Sequence, residues 1–406
     1  MKPFLMSEKM ARVHSDIRGP IYVEALRMQA EGTPILKLNT GNPGSFGFSM
    51  PISIKKALLQ GADRAVPYCD FRGMEEARQA ILDYHRSRGI ENVGMDNIFI
   101  GNGVSEVVTM ATAVVLHGGD EILIPSPSYS LWTNCAYLAG AEPVFYRCDE
   151  ESDWYPDVDD IASKITDKTK AIVLINPNNP TGAIYPDEIT EKIVKLAKKH
   201  NLLIFSDEIY DRLVMDGKSV TSVAAMARND CVVMTFNGLS KSHCLCGFRC
   251  GWVLISGNPA CYGEIMQGMV KYASMRLCGN ALTQLVIPAA LNDTESTMEM
   301  ITPGGRLYEQ REAAMRAIAQ YETLSVVKNS AAFYIFPKIN TKLCPIHDDK
   351  KFAMDLLKAK HVLIVPGSGF DYHESPHFRV VMLPKAQTLY KAMCDIGDFL
   401  ADYSQD

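Results

Sequence analysis

From about residue 97 to residue 256 the chain repeats one pattern: a short apolar run, a loop rich in glycine or polar residues, then a helix-like stretch. The runs Asn97–Ile100, Glu121–Ile124, Val144–Arg147, Lys170–Ile175, Leu202–Ser206, Cys231–Phe236 and Trp252–Ile255 read as strands. Ser105–Leu116, Tyr129–Ala139 and the charged, amphipathic Asp187–His200 read as helices between them. Strands with one wet face alternate apolar and polar residues. Near-continuous apolar runs belong to strands buried on both faces, which requires helices on each side of a largely parallel sheet. The pattern predicts an α/β fold with a mostly parallel, seven-stranded sheet. Ligands of such sheets bind beyond the strand C-termini, so the polar residues there are the ones to inspect.

The rhythm changes near Ile301-Thr302-Pro303-Gly304-Gly305, a cluster of helix breakers. Beyond it lie a long helix (Arg306–Gln320), strands at Phe333–Phe336, Val362–Val365 and Phe378–Val381, and a terminal helix. This reads as a smaller α+β domain, joined by an N-terminal arm with a helix near Tyr22–Glu31. The expected division is an arm through residue 48, a large cofactor-binding domain over 49–300, and a small domain over 301–406. A chain of 406 residues is long enough for it.

Composition removes several function classes. With 47% hydrophobic residues, extended disorder is excluded. The 41 basic and 47 acidic residues give a net charge of −6, which gives no support to a nucleic-acid coat or a polybasic membrane anchor. The 11 cysteines are odd in number and scattered, unlike a disulfide framework, and point to reduced thiols in a cytoplasmic protein. Met1-Lys2-Pro3-Phe4 opens no signal-peptide core, and no apolar stretch of about 18 residues is present.

Four strand-end loops carry chemistry. Gly238-Leu239-Ser240-Lys241 follows an apolar run, with Arg249 eight residues on. A lysine there suits Schiff-base chemistry, since desolvation lowers its pKa and frees the amine. Arg249 is able to hold an anion such as a phosphate in its rigid fork. Taken alone, Lys241 reads more readily as a solvated surface lysine. Asp207-Glu208-Ile209-Tyr210 follows the run Leu202–Ser206. Asp207 suits a protonated pyridine nitrogen, with Tyr210 one helical turn away; it also suits a helix N-cap. Asn176-Pro177-Asn178-Asn179-Pro180-Thr181-Gly182 fixes a tight loop whose amides are suited to a ring hydroxyl. Gly101-Asn102-Gly103-Val104-Ser105-Glu106 joins a strand to a helix, where free N–H groups bind phosphate. Glu106 replaces the third glycine of a dinucleotide fingerprint, so that reading is weak.

Taken together and in this order, with Tyr129 between the first and third loops, the motifs resemble the fold type I, class I aminotransferases dependent on pyridoxal 5′-phosphate. Within them the bacterial glutamate–pyruvate (alanine) aminotransferases are the nearest likeness. It extends through Asp16-Ile17-Arg18-Gly19-Pro20, Leu38-Asn39-Thr40-Gly41-Asn42-Pro43, Ala273-Ser274-Met275-Arg276-Leu277-Cys278 and Thr302-Pro303-Gly304-Gly305-Arg306. The resemblance implies Lys241 as the residue bonded to the cofactor and Asp207 as partner of its ring nitrogen. It implies Asn179 and Tyr210 at the ring hydroxyl, with Asn179 also bordering the substrate, and Tyr129 on the ring face. Gly103, Val104, Ser105, Ser240 and Arg249 would hold the phosphate, with Tyr68 reaching it from the partner of a homodimer. Arg379 would clamp the substrate α-carboxylate and Gly41 would line that pocket. Arg276 and Arg18 are two candidates for the distal carboxylate of glutamate; a structural salt bridge explains Arg276 equally well. The implied substrates are a small amino acid, L-alanine first, and 2-oxoglutarate. One departure is Ser15, preceded by His14, where the likeness implies a tyrosine.

Other readings are open at this point. A pyridoxal-phosphate carbon–sulfur lyase, or a transaminase for another small or branched amino acid, would keep Lys241 and Asp207. A transcriptional regulator would need an added basic domain, for which the residues before Gly41 leave no room. His243, Cys244, Cys246 and Cys250 lack zinc-knuckle spacing, so no metal is expected and the thiols are read as core packing.

Overall fold

The computed structural model describes residues 3–405. Its main sheet runs, edge to edge, Ile98–Asn102, Cys250–Ser256, Val233–Gly238, Leu203–Asp207, Thr169–Ile175, Glu121–Ser126, Glu142–Asp149 and Tyr155–Pro156. The α/β expectation holds, with eight strands where seven were expected. The additional one is the two-residue edge strand Tyr155–Pro156, antiparallel to Glu142–Asp149 and too short to carry a periodic signal. Cys250–Ser256 is antiparallel to both its neighbours, while the strands from Val233–Gly238 to Glu142–Asp149 are parallel.

The apolar runs have a simple cause. Along each strand alternate residues enter two separate cores. Ile98, Ile100, Leu123, Ile172, Leu174, Ile204 and Leu254 face one way. Phe99, Ile122, Ile124, Val173, Phe205, Phe236 and Val253 face the other. Helices cover both layers. Asp187–His200 shows how sequence builds one of them: Thr190, Ile193, Val194 and Ala197 form its buried stripe. Asp187 and Glu188 stand in its first turn, Lys198, Lys199 and His200 in its last, as the helix dipole favours. Asn201 ends it in the left-handed conformation.

A third core joins the two ends of the chain. It contains Ile21, Ala25, Met28 and Leu38 together with residues from Ala314 to Leu400. Leu36–Lys37 pairs in parallel with Val362–Leu363. The expected single strand Val362–Val365 is two: Val362–Leu363, and Val365–Pro366 in a different sheet beside Phe378–Val381. Among the described residues, no helix is long and apolar enough to cross a membrane.

Candidate active site

The four loops meet. A cavity of about 640 Å³ beyond the strand C-termini is lined by residues from all of them, from the N-terminal arm and from the C-terminal third. A larger one of about 790 Å³ lies at the opposite rim, where Lys170, Leu203 and Val232 stand at or next to strand starts; it gathers none of the motif residues.

Asp207 ends its strand in register with Ile175 and Phe236, which places it in the middle of the cavity rim. The carboxylate is buried and takes two long hydrogen bonds, 3.3 Å from Trp132 Nε1 and 3.3 Å from the Ile209 N–H. It makes no ion pair among the described residues. Burial pushes its pKa up to about 6, against those two donors. Such a carboxylate is ready for a cation.

Arg379 is the converse. It is buried, donates at 2.9 Å to Asn179 Oδ1 and also to the Asn39 carbonyl, and has no carboxylate beside it among the described residues. Its Nε has no partner among the described residues. The guanidinium lies 4.5 Å from the Tyr334 ring centre and 4.6 Å from that of Phe370. Burial lowers its pKa, so an anion here relieves a strained charge.

Lys241 stands between them, half-buried, its Nζ donating to the Gly41 carbonyl at 3.1 Å and lying 4.0 Å from Cys246 Sγ. Here the expectation of a lowered pKa is overturned. Burial does pull it down, but Tyr334, Cys246 and Tyr129 outweigh burial and hold it above the ordinary lysine value. Desolvation alone therefore does not free this amine.

At one end of the cavity Val104 and Ser105 open the 12-residue helix Val104–Val115, whose N-terminus has no side-chain cap. Gly103 precedes them at φ 87°, and a Cβ there would stand 2.4 Å from Arg249 Nη2. The glycine thus admits the arginine to the helix start, an arrangement suited to an anion. Ser240 is buried on the same wall, and its carbonyl accepts the Cys246 thiol at 2.9 Å. Cys246 therefore faces the cavity instead of packing in a core.

Tyr129, Asn179, Tyr210, Gly41 and Arg18 also line the cavity. Gly103 itself, Arg276 and Tyr68 do not. Arg276 donates to the Ile100 carbonyl at 2.8 Å and lies 3.8 Å from Glu106, away from the cavity of its own chain. Tyr68 is 77% exposed and outside the lining. The arm reaches the site because His14 exchanges hydrogen bonds with Asn134, at 3.0 and 2.6 Å, and its ring lies 3.5 Å from Asp371. This sets Ser15 and Arg18 on the cavity wall.

Sequence reasoning missed Trp132 and Tyr334. Trp132 had a signal, since it falls in the first turn of the helix after Tyr129 and carries an indole donor. Tyr334 had only a hydroxyl inside an otherwise apolar run.

A buried carboxylate, a buried guanidinium and a lysine amine line one cavity, with a helix start and Arg249 at its end, an arrangement suited to group transfer on a carboxylate-bearing substrate. The profile of the aminotransferase class I and II family matches residues 33–393, and the chain belongs to that family. Within it the chain is similar to the glutamate-pyruvate aminotransferase AlaA of Haemophilus influenzae, 46% identical over 405 residues and covering 100% of both chains. It is 42% identical over 405 residues to the alanine aminotransferase of Mycobacterium tuberculosis, covering 100% of this chain and 94% of that one. Its fold matches the crystal structure of an Escherichia coli aminotransferase with a TM-score of 0.98, at 44% identity and 100% coverage of both.

Proposed function

We propose that this aminotransferase uses pyridoxal 5′-phosphate to move the α-amino group between a small amino acid, L-alanine foremost, and 2-oxoglutarate, giving pyruvate and L-glutamate. The observation that carries the reading is the pair of uncompensated buried charges, Asp207 and Arg379, on either side of Lys241. The names of the most similar relatives support the substrate pair.

The chain's residues fit the cofactor. Asp207 matches a ring nitrogen that must stay protonated, and a cation there brings its raised pKa down. The helix start at Val104 and Ser105, with Ser240 and Arg249, suits a phosphate. Tyr129 borders the space for the ring face, and Asn179 and Tyr210 that for its hydroxyl. When bound, pyridoxal phosphate supplies a cationic ring that takes up the charge left at the substrate α-carbon.

Arg379 holds the α-carboxylate through its fork, which orients the α-hydrogen towards Lys241. With the cofactor held there, the Lys241 amine would be the group placed to take up and return that α-proton. Positioned acid–base help of this kind is worth about 10²–10⁴-fold. Arg18 on the cavity wall is suited to the second carboxylate of glutamate, while a small side chain leaves it in water. Release of one 2-oxo acid before the next enters gives ping-pong kinetics. Tyr68 reads as a contribution to the partner's phosphate seat in a homodimer, for which its exposure leaves it free. The chain divides into the arm 1–48, the large domain 49–300 and the small domain 301–406, a division supported by the shared core of Ile21–Leu38 and Ala314–Leu400.

The test is a visible absorption titration of the purified protein with pyridoxal phosphate, then L-alanine, then 2-oxoglutarate. The expected result is a yellow band that fades with alanine and returns with the oxo acid. A band indifferent to alanine removes the assigned donor, and a protein that stays colourless with added cofactor removes the role of Lys241.

A further inference from the structure

Tyr334 belongs to none of the strand-end motifs, yet it touches three parts of the cavity. Tyr210 Oη donates to Tyr334 Oη at 3.0 Å, with the two rings edge-on at 82°. The Tyr334 ring lies under the Arg379 guanidinium. A Cβ at Gly41 would stand 2.2 Å from Tyr334 Oη and 2.7 Å from Phe333 Cε2. The side chain that Gly41 lacks is thus the space through which the Tyr334 hydroxyl reaches Tyr210. Any larger residue at 41 closes that path. Both phenols are buried, and the hydroxyl of Tyr334 makes no other hydrogen bond among the described residues. The charged and titratable groups facing the pair are Lys241, Cys246, Tyr129, Asp207 and Arg379.

We propose that Tyr334 is a positioning residue that relays a hydrogen bond through Tyr210 to the ring oxygen of the cofactor, while its ring fixes Arg379 at the substrate carboxylate. The proposal rests on the pyridoxal-phosphate reading above. A phenol has one proton to donate and lone pairs with which to accept. When Tyr210 turns its proton towards a ring oxygen, it stops donating to Tyr334 and needs a donor of its own. Tyr334 is the one in reach, and its hydroxyl turns without any movement of the ring. Each bond in such a chain strengthens the next by about 10–30%. A donor aimed at the ring oxygen favours the form in which that oxygen carries its full negative charge. Losing the donor therefore raises the pH midpoint at which the visible band shifts.

The experiment titrates that band against pH in the holoprotein and in its Tyr210→Phe, Tyr334→Phe and doubly substituted forms. Both single changes should raise the midpoint, Tyr334→Phe by roughly a tenth to a third as much as Tyr210→Phe. The double variant should match Tyr210→Phe alone, because the relay has no route except through that residue. For the stacking role, Tyr334→Leu should raise the half-saturating L-alanine concentration above that of Tyr334→Phe by about threefold to tenfold. An unmoved midpoint in Tyr334→Phe, or a shift that adds in full to that of Tyr210→Phe, overturns the relay. Equal half-saturation in the Phe and Leu variants overturns the stacking role. A parent protein that forms no band overturns the cofactor reading beneath both.

Discussion

Replacing Asp207 by asparagine separates what this carboxylate costs the fold from what it gives the site. The group is buried, lacks a cation and accepts two hydrogen bonds of 3.3 Å; its pKa is pushed up to about 6. In an unfolded chain an aspartate titrates near about 3.9. The native value is the higher one, so the protonated form stabilises the fold fully below about pH 4, and this contribution is lost as pH rises through about 6. The gap of roughly two units corresponds to about 3 kcal/mol at neutral pH. Asparagine removes the charge at every pH. It leaves one donor, Trp132 Nε1–H or the Ile209 N–H, facing an amide NH₂, at a cost of about 1–2 kcal/mol. The cofactor-free Asp207→Asn protein should therefore be the more stable by about 1–2 kcal/mol at pH 8. That advantage should vanish near pH 5. At about 2.1 cal/mol/K of unfolding entropy per residue, a chain of this length moves about 1 °C per kcal/mol. Differential scanning calorimetry in steps from pH 5 to pH 8 resolves that difference. With saturating pyridoxal phosphate the order should reverse, since only the carboxylate pairs with a ring cation. An asparagine variant that melts below the parent at pH 8 without cofactor, or a difference that is flat across pH, would refute Asp207 as an uncompensated charge.

Arg379→Lys exchanges a planar fork for a point charge, so half-saturation by L-alanine and by 2-oxo acids should rise about tenfold to a hundredfold; unchanged values in a spectral titration contradict the carboxylate clamp. Arg18→Leu should weaken L-glutamate and 2-oxoglutarate about tenfold while sparing L-alanine and pyruvate. Equal losses for both pairs in steady-state assays would mean that Arg18 only holds the arm in place.

What the sequence discloses and what it hides divide along a physical line. The loops at 101–105, 176–182, 207–210 and 238–249 are legible because each is punctuated by glycine, proline or a polar residue just past an apolar run, and all of them reach one cavity. The two-sided burial of the strands is legible for the same reason, as both faces demand apolar side chains. Tyr334 and Trp132 are not, because their importance lies in partners 124 and 75 residues away, Tyr210 and Asp207. The direction of the Lys241 shift is not legible either, since it depends on the phenols and the thiol that folding brings to it. Arg276 shows the same limit: its neighbours Ile100 and Glu106 come from a distant strand and helix, and they take the guanidinium away from the cavity.

The reversed strand Cys250–Ser256 begins at the rim where its neighbours end. The segment from Gly238 to Cys250 accordingly leaves the sheet and rejoins it on the same side, carrying Lys241 and Arg249 as it goes. The amine and the guanidinium proposed to hold the two ends of one ligand are thus spaced by a single loop, with both feet planted in adjacent strands. Apolar residues within those strands can be exchanged for others of like volume without altering that spacing. A residue gained or lost between Leu239 and Arg249 has no such freedom: the sheet would still form, but the jaws of the clamp would no longer fit the same object. In this stretch of chain it is length, more than composition, that sets what the protein can hold.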